Sequence, residues 1–129
     1  YVAQVARVSV KDNIIKVSEI HCAVDCGIVI NPSIVEAQIS GAIIYGLSAA
    51  LKSKITLSNG RIDQSNFDDF DVLRMDETPK IHVYLIESDA APTGVGEPGL
   101  PPAAPAVANA VYAATGKRIR SLPIKSKDL

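Results

Sequence analysis

The stretch Asn31-Pro32-Ser33-Ile34-Val35-Glu36-Ala37-Gln38-Ile39-Ser40-Gly41-Ala42-Ile43-Ile44-Tyr45-Gly46-Leu47-Ser48-Ala49-Ala50-Leu51 decides the class of fold. Val35, Ile39, Ile43, Leu47 and Leu51 recur at every fourth position, which makes one apolar stripe on a helix. Asn31 is a natural N-cap, and Pro32 suits the first helical position because its missing N–H would have no partner there. The spacing predicts a helix from about Ser33 to Leu51. A second face carries Ile34, Gln38, Gly41, Tyr45 and Ser48. Small residues there, with Gly46 nearby, let another backbone or a ligand come close. Gly41 and Gly46 each cost a helix ~1 kcal/mol relative to Ala, so both are expected to have a packing or binding reason.

Upstream, Val2 to Val10 and Ile14 to Cys22 are rich in β-branched residues and flank the turn signal Lys11-Asp12-Asn13. They predict a hairpin. Their alternation is imperfect, which predicts partial cover on both faces. Downstream, Lys54–Leu57 and Arg61–Asp63 flank Ser58-Asn59-Gly60, a second hairpin signal. Asn66–Asp71 reads as an acidic loop, and Ile81–Glu87 as a strand with Ile81, Val83 and Leu85 on one face. Ala103–Thr115 reads as a second helix stopped by Gly116. The basic tail from Lys117 to Lys127 reads as a solvated end. Strands and two helices mix without a βαβ rhythm, so the predicted class is α+β, with residues 1–129 as one domain.

Composition narrows the function. The 129 residues are 47% hydrophobic and 21% charged, as in a globular chain with a real core. A net charge of −1 gives no electrostatic case for nucleic acid or an anionic membrane. Two Phe, four Tyr and no Trp make a base-stacking surface a poor fit. No run of ~18 apolar residues stands out as a membrane span. The mean hydropathy of +0.19 is apolar for this size and points to surface meant for other protein, so self-association is expected. The chain begins at Tyr1 without a Met, as a fragment would, and leaves the compartment unassigned.

The candidate for chemistry lies in Thr93-Gly94-Val95-Gly96-Glu97-Pro98-Gly99. Glu97 is the one ionisable side chain between a glycine run and a proline run. A carboxylate on a glycine turn ahead of a helix has backbone N–H groups around it and little steric cover, which suits close approach to a ligand. The plainer alternative is a helix-entry loop whose Glu favours the helix dipole. Gly94 and Gly96 lack the third glycine of a dinucleotide fingerprint. Cys22 and Cys26, beside His21, lack the further ligands of a zinc site and read as buried free thiols. His82 has no Ser or Cys partner for a triad. Asp63, Asp68, Asp69 and Asp71 miss the calcium-loop spacing. Gln38 is the second candidate: a glutamine among small and apolar groups needs a partner if buried, or else caps a neighbouring loop.

Two stretches carry a family resemblance. Val24-Asp25-Cys26-Gly27 through Asn31-Pro32 to Gln38-Ile39-Ser40-Gly41 and Tyr45-Gly46-Leu47 resembles part of the large subunit of the molybdenum hydroxylases, the xanthine dehydrogenase and aldehyde oxidase family. Gly94-Val95-Gly96-Glu97-Pro98 resembles that family's glycine-flanked catalytic glutamate motif. Leu73-Arg74-Met75, Pro105-Ala106-Val107-Ala108-Asn109-Ala110 and Gly116-Lys117-Arg118-Ile119-Arg120 are most similar to its isoquinoline 1-oxidoreductase β-subunit branch.

The resemblance implies a C-terminal part of a longer subunit, within its second molybdopterin-binding domain. It implies a molybdenum–molybdopterin cofactor, in bacterial members as the cytosine dinucleotide, with no protein side chain on the metal. Gln38, Thr93, Gly94, Val95 and Gly96 would contact the cofactor. Glu97 would be the general base that activates a molybdenum-bound hydroxide toward an N-heteroaromatic compound or an aldehyde. Electrons would leave through an iron–sulfur subunit. Upstream cofactor loops lie outside this chain, so the chain alone is expected to hold no cofactor. The alternative is a non-catalytic interaction module with the same fold.

Overall fold

The computed structural model describes residues 1–125, Lys127 and Leu129. Strand β1 (Val2–Lys11) and strand β2 (Ile14–Val24) form an antiparallel hairpin. Asp12 and Asn13 make its tip with φ of 52° and 59°. Both are residue types that tolerate the left-handed region, as a tight hairpin turn requires. Burial alternates cleanly along β1, with Val2, Gln4, Ala6, Val8 and Val10 inward. The outer face of β1 is therefore open, and the expected cover on both faces is absent from it. A bulge between Arg7 and Val8 explains the imperfect pattern: Ser18 is an extra residue in β2, and its hydroxyl donates to the Arg7 carbonyl.

Helix α1 runs Pro32–Leu51, with the Asn31 side chain accepting from the Ile34 N–H at 3.2 Å. Short strands β3 (Leu57–Ser58) and β4 (Arg61–Ile62) close around Asn59 and Gly60, whose φ values are 53° and 77°. Strand β5 (Lys80–Leu85) then lies parallel to β2, giving the sheet order β1-β2-β5. This parallel pairing is a strand–helix–strand crossover, contrary to the expectation of none. Residues 25–79 separate the two strands and hold a second hairpin as well as the helix, which hides the rhythm in the sequence. Helix α2 (Ala103–Thr115) ends on Gly116, whose φ of 73° and N–H to the Tyr112 carbonyl make a left-handed cap. The class is α+β, as predicted.

The core sits between the inner sheet face and the two helices. Ile20, Cys22 and Val24 from β2 meet Ile39, Ile43 and Leu47 from α1 and Val107 and Val111 from α2. Both cysteines are buried and free, as expected. By length and composition α1 is apolar enough to cross a bilayer, which corrects the expectation that no such segment exists. In the fold it is a core helix, since Ile39, Ile43 and Leu47 have 0% exposure. The tail is also less free than predicted. Ile119 and Ile124 are buried, Arg118 lies 3.6 Å over the Tyr112 ring, and the Ile124 N–H donates to the Ala50 carbonyl. Lys117 Nζ donates to the Leu129 carbonyl. Within that tail Ser126 lies outside the described residues.

Candidate functional site

The loop that carries Glu97 is fixed from four sides. At its start the Cys26 carbonyl accepts both the N–H and the hydroxyl of Thr93, at 2.9 and 3.2 Å. The neighbouring Ile28 N–H donates to the Ala90 carbonyl. Gly27 makes this approach possible. Its φ is 75°, and a Cβ there would lie 2.3 Å from the Ala91 carbonyl oxygen. At the far end the Glu97 carbonyl accepts from the Leu100 N–H at 2.9 Å. Gly99 rests on α1, where a Cβ would meet the Ile39 carbonyl oxygen at 2.8 Å and Ala42 at 3.2 Å. From the sheet, Gln4 Nε2 donates to the Gly99 carbonyl at 2.7 Å.

The structure thus gives a reason for one of the two helix glycines. Gly46 meets Leu100 and Ala103, with 2.8 Å left between a Cβ and the Leu100 carbonyl oxygen. Gly41 faces open space. Ser48, on the second face of α1, is buried, and another backbone does come close to it: its hydroxyl donates to the Ile44 carbonyl and accepts from the Leu73 N–H. Ile34 and Tyr45 stay 59% and 72% exposed.

Of the predicted site residues, Gln38, Thr93, Gly94, Gly96 and Glu97 are exposed, whereas Val95 is half-buried and packs against the core. Glu97 and Gln38 are both exposed, and each lies one or two residues from the contact between Gly99 and Ile39. Among the described residues the Glu97 carboxylate has no hydrogen bond or ion pair. The N–H groups of Gly94, Val95, Gly96 and Glu97 likewise make no backbone hydrogen bond there. A Cβ at Gly94 or Gly96 would meet nothing within 4 Å. The loop is tethered at both ends, Val95 packs against the core between them, and the backbone N–H groups of 94–97 make no backbone hydrogen bond among the described residues. That arrangement offers several backbone donors, one amide and one carboxylate to a large polar ligand. Gln38 is exposed, so the expected need for a partner inside the protein does not arise. Glu97 neither caps α2 nor lies in its first turn, which holds no acidic residue. The cleft of about 720 Å³ between Val17, Leu47, Leu51, Leu73 and Ile124 contains none of these residues.

Sequence reasoning missed Gln4 and Gly27. Gln4 is one polar residue on an otherwise ordinary β-strand, and no local pattern links it to a loop 95 residues away. It also faces Cys22, whose thiol burial pushes up and the Gln4 hydrogen bond pulls down. A further group was missed: Glu19, His21 and His82 converge on the outer sheet face.

Residues 1–79 match the molybdopterin cofactor-binding domain family, and the chain belongs to it. It is 46% identical over 114 residues to the isoquinoline 1-oxidoreductase subunit beta of Brevundimonas diminuta, covering 88% of this chain and 15% of that one. It is 33% identical over 128 residues to a membrane-bound aldehyde dehydrogenase (pyrroloquinoline-quinone) of Gluconacetobacter polyoxogenes, covering 99% of this chain and 16% of that one. The crystal structure of quinoline 2-oxidoreductase from Pseudomonas putida 86 superposes with a TM-score of 0.80 at 26% identity, over 89% of this chain and 16% of that chain. The chain therefore spans about one sixth of the length of these relatives.

Proposed function

We propose that this chain is the part of a molybdenum hydroxylase large subunit that supplies the catalytic base and one wall of the cofactor site. The observation that carries this reading is the Thr93–Gly99 loop, tethered at Thr93 and Gly99 and unpaired from Gly94 to Glu97. A molybdopterin cofactor fits these residues chemically. Its pterin, phosphate and oxygen groups accept hydrogen bonds, and the loop offers N–H donors at two glycines with nothing beside them. Gln38 adds an amide that both donates and accepts. When bound, the cofactor supplies the redox centre and the Lewis acid.

The chain's own residues do the rest. Thr93 spends both its donors on Cys26, so its role is to hold the loop's entrance. Gly94, Val95 and Gly96 present backbone to the cofactor, since no side chain stands in the way at the two glycines. Gln38 orients the pterin from α1. Glu97 takes a proton from the oxygen nucleophile at a carboxylate oxygen; its lack of a competing ion pair leaves that oxygen free. The substrate class suggested by the relatives' names is an N-heteroaromatic ring or an aldehyde. We place the remainder of the large subunit and an iron–sulfur subunit as partners, and the cytosine dinucleotide as the cofactor's form.

The test is a comparison of two variants in the full-length subunit. Glu97→Gln should lose turnover at full molybdenum content. Gln38→Ala should lose molybdenum content and keep near-normal turnover per bound metal. If both variants lose metal and turnover in the same proportion, the division of roles is wrong.

A further inference from the structure

We propose that Glu19, His21 and His82 form a second metal site, for Zn²⁺ or a neighbouring divalent first-row ion, on the outer face of the sheet. Residues 19 and 21 share that face because side chains alternate along β2, and His82 is the register partner of His21 on β5. The three donors thus occupy one corner of the sheet, on two strands joined by the long crossover 25–79. Their ligand atoms all lie within 4.8 Å of one another. Glu19 Oε2 and His21 Nε2 are 3.4 Å apart. Donors held ~2.1 Å from a tetrahedral ion lie about 3.4 Å from each other, so this pair already has the required spacing.

The outer partner of His21 supports the same reading. Its Nδ1 is 2.9 Å from the Tyr84 hydroxyl. A ligating histidine commonly gives its second ring N–H to such a partner, which fixes the tautomer and turns the other nitrogen's lone pair to the metal. With Nδ1–H donating to Tyr84, the Nε2 lone pair faces the Glu19 carboxylate. In that tautomer a metal ion between the two acceptors satisfies both; in the other, Nε2–H donates to Glu19 and the Tyr84 hydroxyl donates to Nδ1. His82 must adjust: its ring is stacked on His21 at 4.5 Å and 6°, and a turn about χ2 is needed to aim its nitrogen at the shared point. The site faces solvent, which leaves room for that turn and for a water as fourth ligand. Two imidazoles and a carboxylate suit zinc and its neighbours over calcium or magnesium. The Arg7 guanidinium, 3.2 Å from Glu19 Oε1, and Lys80, the register neighbour of Glu19, both weaken affinity by repulsion. Arg7 sits on Oε1 and leaves Oε2 for the ion. An ion here would clip β2 to β5.

Titration of the full chain with Co²⁺, followed by its visible ligand-field bands, and with Zn²⁺ by calorimetry, tests this. The expected result is one equivalent bound in the micromolar range, with a Tm rise of about 10 °C at roughly 100-fold excess over Kd. His21→Gln and His82→Gln should each weaken binding about tenfold or more, and Tyr84→Phe by a similar factor through His21 alone. These side chains lie on the solvent-facing side of two different strands, and circular dichroism checks that each variant stays folded. Cys22→Ala with Cys26→Ala should leave binding unchanged. No bound equivalent, binding that survives both histidine variants, or a thiolate charge-transfer band lost with the cysteines would overturn the site. So would wild-type affinity in Tyr84→Phe.

Discussion

At the residue scale, the fold leaves the Glu97 carboxylate without a hydrogen bond or ion pair among the described residues and ties Gln4 to the same loop. Gln4 uses its amide N–H on the Gly99 carbonyl, two residues beyond Glu97. Its Oε1 is buried without a protein hydrogen-bond partner among the described residues. Gln4→Ala removes the only side-chain bond from the sheet to this loop among the described residues, and should cost about 1–2 kcal/mol of stability. In the full-length enzyme it should also lower turnover while leaving the Glu97 carboxylate in place; denaturant unfolding and kcat together check it. Glu97 stands out in the sequence as a lone carboxylate among glycines and prolines, and its catalytic role is our proposal. Gln4 was not legible, because its partner is distant in the chain and its own neighbours are unremarkable strand residues.

At the element scale, α1 is positioned by two close approaches. Gly46 and Gly99 allow the Glu97 loop and the start of α2 to sit directly on it. A methyl at Gly99 would meet backbone at Ile39, which has no flexible end to move aside. Gly99→Ala should therefore destabilise by about 1–3 kcal/mol, read as a lower urea midpoint. Gly41→Ala should do the reverse and stabilise α1 by up to ~1 kcal/mol, since its side faces open space. The sequence predicted both glycines to be constrained; only packing from outside the helix separates them. At the end of α1, Lys52 Nζ lies 2.6 Å from Glu77 and 3.6 Å from Asp71. The Lys52 hydrogen bond holds the Glu77 carboxyl below the usual glutamate range, and Glu77 in turn raises Lys52. A depressed carboxylate stabilises the fold above its unfolded pKa, about 4.3. The Tm difference between the chain and its Glu77→Gln variant should be full at pH 7 and shrink as the pH falls below that value. A difference that persists at pH 2 would contradict it.

For the whole molecule, the helices, both hairpins and the final strand were legible because each rests on local periodicity and turn chemistry. The parallel pairing of β2 with β5 was not, since register across residues 25–79 is a tertiary fact. It is that pairing which sets His82 beside His21 and carries the chain from Val24 and Leu85 on to the contact between Cys26 and Thr93. The surface also bears exposed apolar groups, Tyr1, Ile34, Tyr45, Phe67 and Met75 among them. Light scattering should show the chain self-associating at high concentration, and a strict monomer would count against that reading. The proposal that reaches furthest is that Glu97 serves as the base in the assembled enzyme. The most direct measurement is turnover per bound molybdenum in the full-length subunit carrying Glu97→Gln, which keeps the side chain's size and removes the proton acceptor. A fall of about 10²–10⁴-fold at unchanged molybdenum content is expected; turnover per molybdenum close to that of the unaltered enzyme would contradict the role of Glu97 as base.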